Sequence, residues 1–283
     1  MISEIKVTSG DFSNTLTEEV KEDGLKFLHL KFHSDKPEIP SKFSLQFFVP
    51  CIDIYSLWSP LTETPRVISP GGFWVNEESG IAHGAPVLSM ISKSGQNRIT
   101  VAISDVKIAS AIKLRLYESK KEILADAVLF TEITNPITDY EVVIRIDERS
   151  IRYETSLYEV SKWWENEYKP CLVPSAAKMP MFSTWYNYHQ RLNDEELLKQ
   201  CIIAAEYGMK TVIIDDGWQT DDNRGGYAYC GDWNVCRTKI RDMRNLVDSI
   251  HKIGMKVMLW FSVPFVGIHS ENFKKFEGKY LNK

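Results

Sequence analysis

Thr211-Val212-Ile213-Ile214-Asp215-Asp216-Gly217-Trp218 is the stretch that decides how this chain is read. Four strand-forming residues run without alternation into two adjacent carboxylates, a glycine and an indole. An unbroken apolar run suits a strand buried on both faces, as in a parallel sheet covered by helices. Barrels of that kind place their chemistry at the carboxyl ends of their strands, where Asp215, Asp216 and Trp218 fall. Carboxylates accept hydrogen bonds from hydroxyl groups, and an indole face packs on the C–H face of a sugar ring. The pattern points to a sugar pocket on a barrel rim. The plainer alternative is that the aspartates cap the next helix and Trp218 is core.

The flanks repeat the same unit. Met181 to Tyr186 reads as a short strand, and Asn193 as an N-cap with Glu196 three residues on. Leu197, Cys201, Ala204 and Ala205 then make one helical face, closed by Gly208. After the central strand comes a loop of over twenty residues. A second helix follows, with Met243, Leu246, Val247 and Ile250 at i, i+3, i+4 and i+7, stopped by Gly254. Lys256 to Phe261 is the third strand, and Ser270 to Phe276 is expected to begin a third helix. Strand and helix in alternation imply parallel βα units.

Upstream the period is different. Arg98 to Ser104 alternates, with Ile99, Val101 and Ile103 on one face. Ile112, Leu114 and Leu116 repeat the pattern, as do Val142, Ile144 and Ile146. Leu25 to Phe32 and Phe43 to Val49 are also strand-like. Turn clusters separate them, at Ser69-Pro70-Gly71-Gly72, Lys93 to Asn97 and Asn135-Pro136. Short strands with such punctuation argue an antiparallel β-sandwich. Leu157, Val160, Trp164 and Tyr168 at helical spacing mark a linking helix near 156–168. The boundary is placed at residue 170, giving a sandwich domain over 1–170 and a barrel domain over 171–283.

Composition narrows the function. The 283 residues carry a net charge of −4, which leaves no basic footprint for nucleic acid or anionic membrane. No window reaches the roughly 20 apolar residues of a membrane span, and the N-terminus has no signal-peptide pattern. Five scattered cysteines fit reduced thiols in a cytoplasm better than a disulfide framework. There is no Gly-rich phosphate loop and no ligand cluster at metal spacing, so no cofactor and no metal are expected. His29 and His33 read as surface residues. Trp58, Phe73, Trp74 and His83 read as packing rather than a binding cleft.

The informative side chains all follow a strand: Trp185, Tyr186, Asn187 and His189 after the first, Asp215, Asp216 and Trp218 after the second, Trp260, Ser262 and Pro264 after the third. In a barrel these ends share one rim. The loop from Gln219 to Lys239 exceeds the roughly 12–15 residues of an ordinary connection, which favours a functional role for it. It carries Asp232 and Trp233. For Trp185 and Trp260, inter-strand packing is the alternative.

These residues also resemble a family. Met179 to Tyr186 looks like the first barrel strand of the family 36 glycoside hydrolases, the microbial and plant-type α-galactosidases. Asp215 to Gln219 resembles their second-strand motif, shared with family 27. Gly231-Asp232-Trp233 resembles the loop that covers the sugar. Lys256 to Trp260, followed by Pro264-Phe265-Val266-Gly267, is similar to their third strand. The match spans about Met179 to Leu281, with four motifs in order.

The resemblance implies a β-supersandwich followed by the first three βα units of a (β/α)8 barrel. It implies a retaining mechanism with two aspartates, one attacking the anomeric carbon and one acting as acid and then base, at about 5–5.5 Å. Substrate binding then falls to Asp215, Asp216, Trp218, Asp232, Trp233, Trp185 and Trp260. The family's nucleophile follows the fourth strand and its acid/base the sixth, and neither motif occurs after Phe261. A complete barrel takes about 250 residues, so the chain is expected to be part of a longer enzyme, inactive alone, with open sheet edges. An α-galactoside oligosaccharide is the expected partner, and the family's habit adds a homo-oligomer. Other readings are an α-N-acetylgalactosaminidase, a raffinose- or stachyose-synthase-type transferase, or a non-catalytic carbohydrate-binding remnant.

Overall fold

Alternating apolar residues build the first half of the molecule strand by strand. The computed structural model describes residues 2–61, 66–67 and 74–280, so the turn cluster at Ser69 to Gly72 and Phe73 lie outside the described residues. The chain divides into two units, Met1–Pro170 and Cys171–Lys283.

The first unit contains β1 (Ser3–Thr8), β2 (Ser13–Glu22), β3 (Leu25–Glu38), β4 (Phe43–Pro50), β5 (Ser56–Trp58) and β6 (Arg66–Val67). It continues with β7 (Trp74–Ser79), β8 (Val87–Ile91), β9 (Asn97–Ile103), β10 (Ser110–Tyr117), β11 (Glu122–Leu129) and β12 (Ile137–Asp147). They form a five-stranded sheet, β1-β4-β11-β10-β7, and a seven-stranded sheet, β2-β3-β12-β9-β8-β5-β6. The pairings between them are antiparallel. One continuous core joins the inner faces, with Leu28, Leu30, Phe43, Phe47, Ile112, Leu114, Ile144 and Ile146 sealed from solvent.

The alternation in β9 predicts one covered face. The structure covers both: Thr100 and Ala102 are as buried as Ile99 and Val101. The second face lies under α1 (Tyr153–Glu167), which starts three residues before the expected helix. Val160 of α1 packs on Val87 and Ala102, and Trp164 Nε1 donates to Ile103 O at 2.9 Å. Buried charges fix the same helix. Arg145, on the outer face of β12, donates to Asp147 Oδ2 at 3.0 Å and to Glu159 Oε2 at 2.9 Å. Ser156 Oγ and Arg149 Nη2 donate to Asp147 Oδ2 at 2.6 and 2.7 Å. Burial alone would raise the Asp147 pKa; the hydrogen bonds from Arg149 and Ser156 and the Arg145 charge outweigh it and hold it low.

In the second unit β13 (Met181–Ser183), β14 (Thr211–Ile214) and β15 (Lys256–Leu259) pair in parallel, with Met181 opposite Thr211 and Thr211 opposite Lys256. Val212 and Ile214 are sealed between the covering helices α3 (Asp194–Glu206) and α4 (Met243–Lys252). Asn193 Oδ1 accepts from Glu196 N at 3.0 Å and starts α3; Asp242 Oδ1 does the same for Asn245 N in α4. The sheet is open, with β13 and β15 as its edges.

In this unit three boundaries differ from the sequence reading. The first strand stops at Ser183 because Thr184 turns into the helical region (φ −73°, ψ −18°) and a short helix, α2 (Trp185–Tyr188), follows. The third strand stops at Leu259. In place of a helix over Ser270 to Phe276 there is a single 3₁₀ turn at Lys274–Phe276. That segment offers only Phe273 and Phe276 to a core, too little apolar surface to hold a longer helix. Among the described residues no helix is long and apolar enough to cross a membrane.

Candidate functional site

The end of β14 is where chemistry-bearing residues gather. The β14 ladder continues one residue past the strand on each side, with Thr184 N donating to Ile213 O at 3.1 Å and Trp260 N to Ile214 O at 3.0 Å. The exits of all three strands are thereby fixed to one another. Thr184 Oγ1, fully buried, accepts from Asp215 N at 2.9 Å and turns the chain outward.

Asp215 and Asp216 then take different surroundings. Asp215 is half-buried; its Oδ1 accepts from Asp216 N at 2.8 Å, and its Oδ2 has no protein partner among the described residues. Asp216 is only 4% exposed. Its Oδ2 accepts from Gln190 Nε2 and its Oδ1 from Gln219 Nε2, both at 2.6 Å. The outward acid can meet a ligand hydroxyl directly, whereas the inward acid is already gripped by two amides.

The indoles form one cluster with Phe261. Trp218 is 2% exposed and donates through Nε1 to Trp260 O at 3.0 Å. Trp233 stacks on Trp218 (centroids 6.1 Å apart, planes at 26°) and meets Trp260 edge-on at 5.9 Å. Phe261 packs against Trp218 and Trp233 at 5.4 and 4.9 Å. The half-buried Trp233 and Trp260 carry the ring surface that a ligand could reach, with Trp218 behind them. Trp185, half-buried, packs edge-on to His189 at 4.9 Å instead.

Asp232 has a job within the chain. Its two oxygens accept from Glu271 N at 2.8 Å and Asn272 N at 3.0 Å. With Gly267 N donating to Cys230 O at 2.7 Å and His269 N to Ala228 O at 2.9 Å, this fastens the long loop to the segment after β15. Burial and the Asp216 charge push the Cys230 thiol up to about 11, so it is not a thiolate at neutral pH. The described cysteines are free, and among the described residues no His, Cys, Asp and Glu group is placed to hold a metal.

Three residues belong to this rim that sequence reading did not single out: Gln190, Gln219 and Lys239. Lys239 is 8% exposed, and its Nζ donates to Gln190 O at 2.6 Å, Asn223 Oδ1 at 2.9 Å and Gly217 O at 3.2 Å. Burial lowers its pKa against the raising effect of Cys236, Asp221, Asp216 and Asp222. A lysine in a polar loop carries no local signal of such burial. Gln219 stands three residues after Asp216, at the end of the Asp215 to Gln219 motif, where it was quoted without a role.

The chain thus joins a β-sandwich unit to parallel βα units, and the strand exits of the second carry an acid pair and clustered indoles. Comparison makes that layout particular. Residues 147–281 match the Melibiase family model. The α-galactosidase AgaA of Geobacillus stearothermophilus is 30% identical over 98 residues, which is 34% of this chain and 13% of that protein. The bifunctional α-galactosidase/sucrose kinase AgaSK of Mediterraneibacter gnavus is 32% identical over 75 residues, 25% of this chain and 8% of that protein. In fold, the family 36 AgaA structure superposes with a TM-score of 0.56 at 19% identity, covering 93% of this chain and 39% of that one. The Lactobacillus brevis α-galactosidase structure gives 0.56 at 13% identity, covering 97% and 44%. The chain is thus similar in sequence to α-galactosidases over part of its length and shares its fold with the family 36 AgaA structure, and it spans well under half the length of these relatives. An AgaA variant has been solved with raffinose, and another with stachyose.

Proposed function

We propose that this chain supplies the galactose-holding part of an α-galactosidase site of the retaining type, acting on α-galactoside oligosaccharides. The observation that carries the proposal is the exit of β14, where Asp215 Oδ2 has no protein partner among the described residues and Trp218, three residues on, clusters with Trp233 and Trp260. In this reading Asp215 accepts hydrogen bonds from ring hydroxyls, and Trp233 and Trp260 cover the apolar face of the sugar. Asp216 and Trp218 support that surface from behind, Trp185 borders it, and Asp232 shapes the covering loop. The nucleophile and the acid/base belong to barrel units beyond the three described, so bond cleavage needs a form of the protein that carries them. The relatives solved with raffinose and stachyose support the substrate class. Free cysteines support a reducing compartment, the cytoplasm.

The test is titration of the chain with methyl α-D-galactopyranoside, read by tryptophan fluorescence, beside hydrolysis of p-nitrophenyl α-galactoside by this chain and by a form extended through the barrel. Asp215→Ala removes hydrogen bonds to a charged group worth about 1.5–3 kcal/mol, so affinity should fall roughly 10- to 100-fold. Hydrolysis should appear in the extended form alone. Hydrolysis by the 283-residue chain, or binding indifferent to Asp215→Ala, would sink the assignment.

A further inference from the structure

A buried ammonium is costly unless its donors are met, and Lys239 meets all three of them with oxygens from three separate segments. Gln190 O belongs to the chain leaving β13, Gly217 O to the chain leaving β14, and Asn223 Oδ1 to the long loop. Among the described residues Lys239 has no carboxylate within 4 Å of its Nζ. A leucine would fill the same space without the cost of desolvating a charge. What the ammonium adds is a fixed meeting point for three backbone and amide oxygens.

The segment so fixed is the one that holds Asp216. Gln190 uses its side chain at both ends, donating Nε2 to Asp216 Oδ2 at 2.6 Å and accepting Gly225 N at Oε1 at 2.8 Å. Gly217 lies so close to Gln190 that a Cβ there would stand 2.5 Å from Gln190 Cα. Lys239 therefore reaches the acid pair by two routes, through Gly217 directly and through Gln190.

We propose that Lys239 is a positioning residue for the sugar rim: through Gln190 and Gly217 it fixes the end of the 219–239 loop to the segment that sets the place of Asp216, and through Asn223 it closes that loop on itself. The affinity part of this proposal rests on the sugar-binding reading above; the ordering part does not. Lys239 touches no ligand. Its effect is carried by the chain segments it joins, with Asp216, Asp221, Asp222 and Cys236 as the titratable groups around it.

Two measurements on the full chain separate the parts. In Lys239→Met, which keeps length and removes the donors, amide hydrogen exchange should speed up about tenfold or more at Asp216 to Trp218 and at Gly225. Exchange at Val212, Leu246 and Ile250 should not change. Affinity for methyl α-D-galactopyranoside should fall about tenfold, and Lys239→Arg, which keeps charge and donors, should recover part of both losses. Should Lys239→Met fail to fold, Asn223→Ala removes one acceptor at an exposed position and should still speed exchange at Gly225. Unchanged exchange at Gly225 in the variants overturns the proposal whatever the sugar does. Localised exchange with unchanged affinity in a wild type that binds overturns its functional half. A wild type that binds no α-galactoside overturns the binding reading and that functional half with it, while exchange still decides whether Lys239 orders the rim. Loss in Lys239→Met with no recovery in Lys239→Arg also overturns it, since a general packing defect would give that result.

Discussion

Replacing Gly217 by alanine loads two distinct costs onto the rim. Gly217 has φ +110°, a region where an L side chain costs about 1–3 kcal/mol. The added Cβ would also stand 2.5 Å from Gln190 Cα, 2.6 Å from Gln190 O and 2.9 Å from Gln190 C. These are backbone atoms in a segment anchored to Lys239 Nζ, so no side chain can swing clear. Overpacking of that kind costs roughly 1–3 kcal/mol. Gly254 serves as the internal control. Its φ is +82°, and nothing lies within 4 Å of its Cβ position, so alanine there incurs the backbone cost alone. Gly217→Ala should therefore lose about 2–6 kcal/mol in total, and about 1–3 kcal/mol more than Gly254→Ala. Urea unfolding followed by tryptophan fluorescence and far-ultraviolet circular dichroism measures both, with the transition of the second unit as readout. Equal destabilisation by the two substitutions would refute the claim that the exit of β14 is seated against Gln190.

Two further predictions concern the scaffold. Asp147→Asn breaks a fully buried ion pair and should destabilise the first unit by about 3–5 kcal/mol in urea unfolding. Because the folded Asp147 pKa is held below the ordinary 3.8, its stabilisation is complete above that value and is lost as pH falls through the lower folded value. Stability of the first unit should thus decline below about pH 4, and Asp147→Asn should flatten that limb; an unaltered limb would assign it to other carboxylates. Asn193→Ala and Asp242→Ala each remove a side-chain cap and should lose about 1 kcal/mol, seen as lower urea midpoints, and a neutral result at either would place the helix start elsewhere.

What the sequence could disclose follows the range of the interaction. The apolar run at Thr211 to Ile214, the cap at Asn193 and the stop at Gly208 are local, and the structure has them where the residues say. The alternation in β9 is local too, yet it led to a half-exposed strand, because the helix that buries Thr100 and Ala102 arrives some fifty residues later. Trp185 follows Ser183 and Thr184 in a strand-like run, but Thr184 turns the chain, and no propensity at Met181 to Tyr186 announces that. At the rim, Asp215, Asp216 and Trp218 are adjacent and were legible together. The amides that grip Asp216 are Gln219, three residues on, and Gln190, which lies 26 residues away and is held by a lysine 49 residues further along. Asp232 was legible as an acid, whereas its partners, the amides of Glu271 and Asn272, required the path of the chain.

Asp215 and Asp216 are neighbours with opposite exposures, and this has an evolutionary consequence. A shift of one residue would put Asp215 in the place of Asp216, with Ile214 behind it, or Asp216 in the place of Asp215, with Gly217 behind it. A single-residue insertion or deletion in the connection 207–210 that passed into β14 would therefore leave one of the two acid positions without its carboxylate. In the long loop the constraint is confined to single contacts: Gly225 N donates to Gln190 Oε1 at 2.8 Å, whereas a Cβ at Gly226 would meet nothing within 4 Å. A change in the short connection is therefore felt as a count of residues, and a change at Gly225 as the loss or keeping of one amide contact.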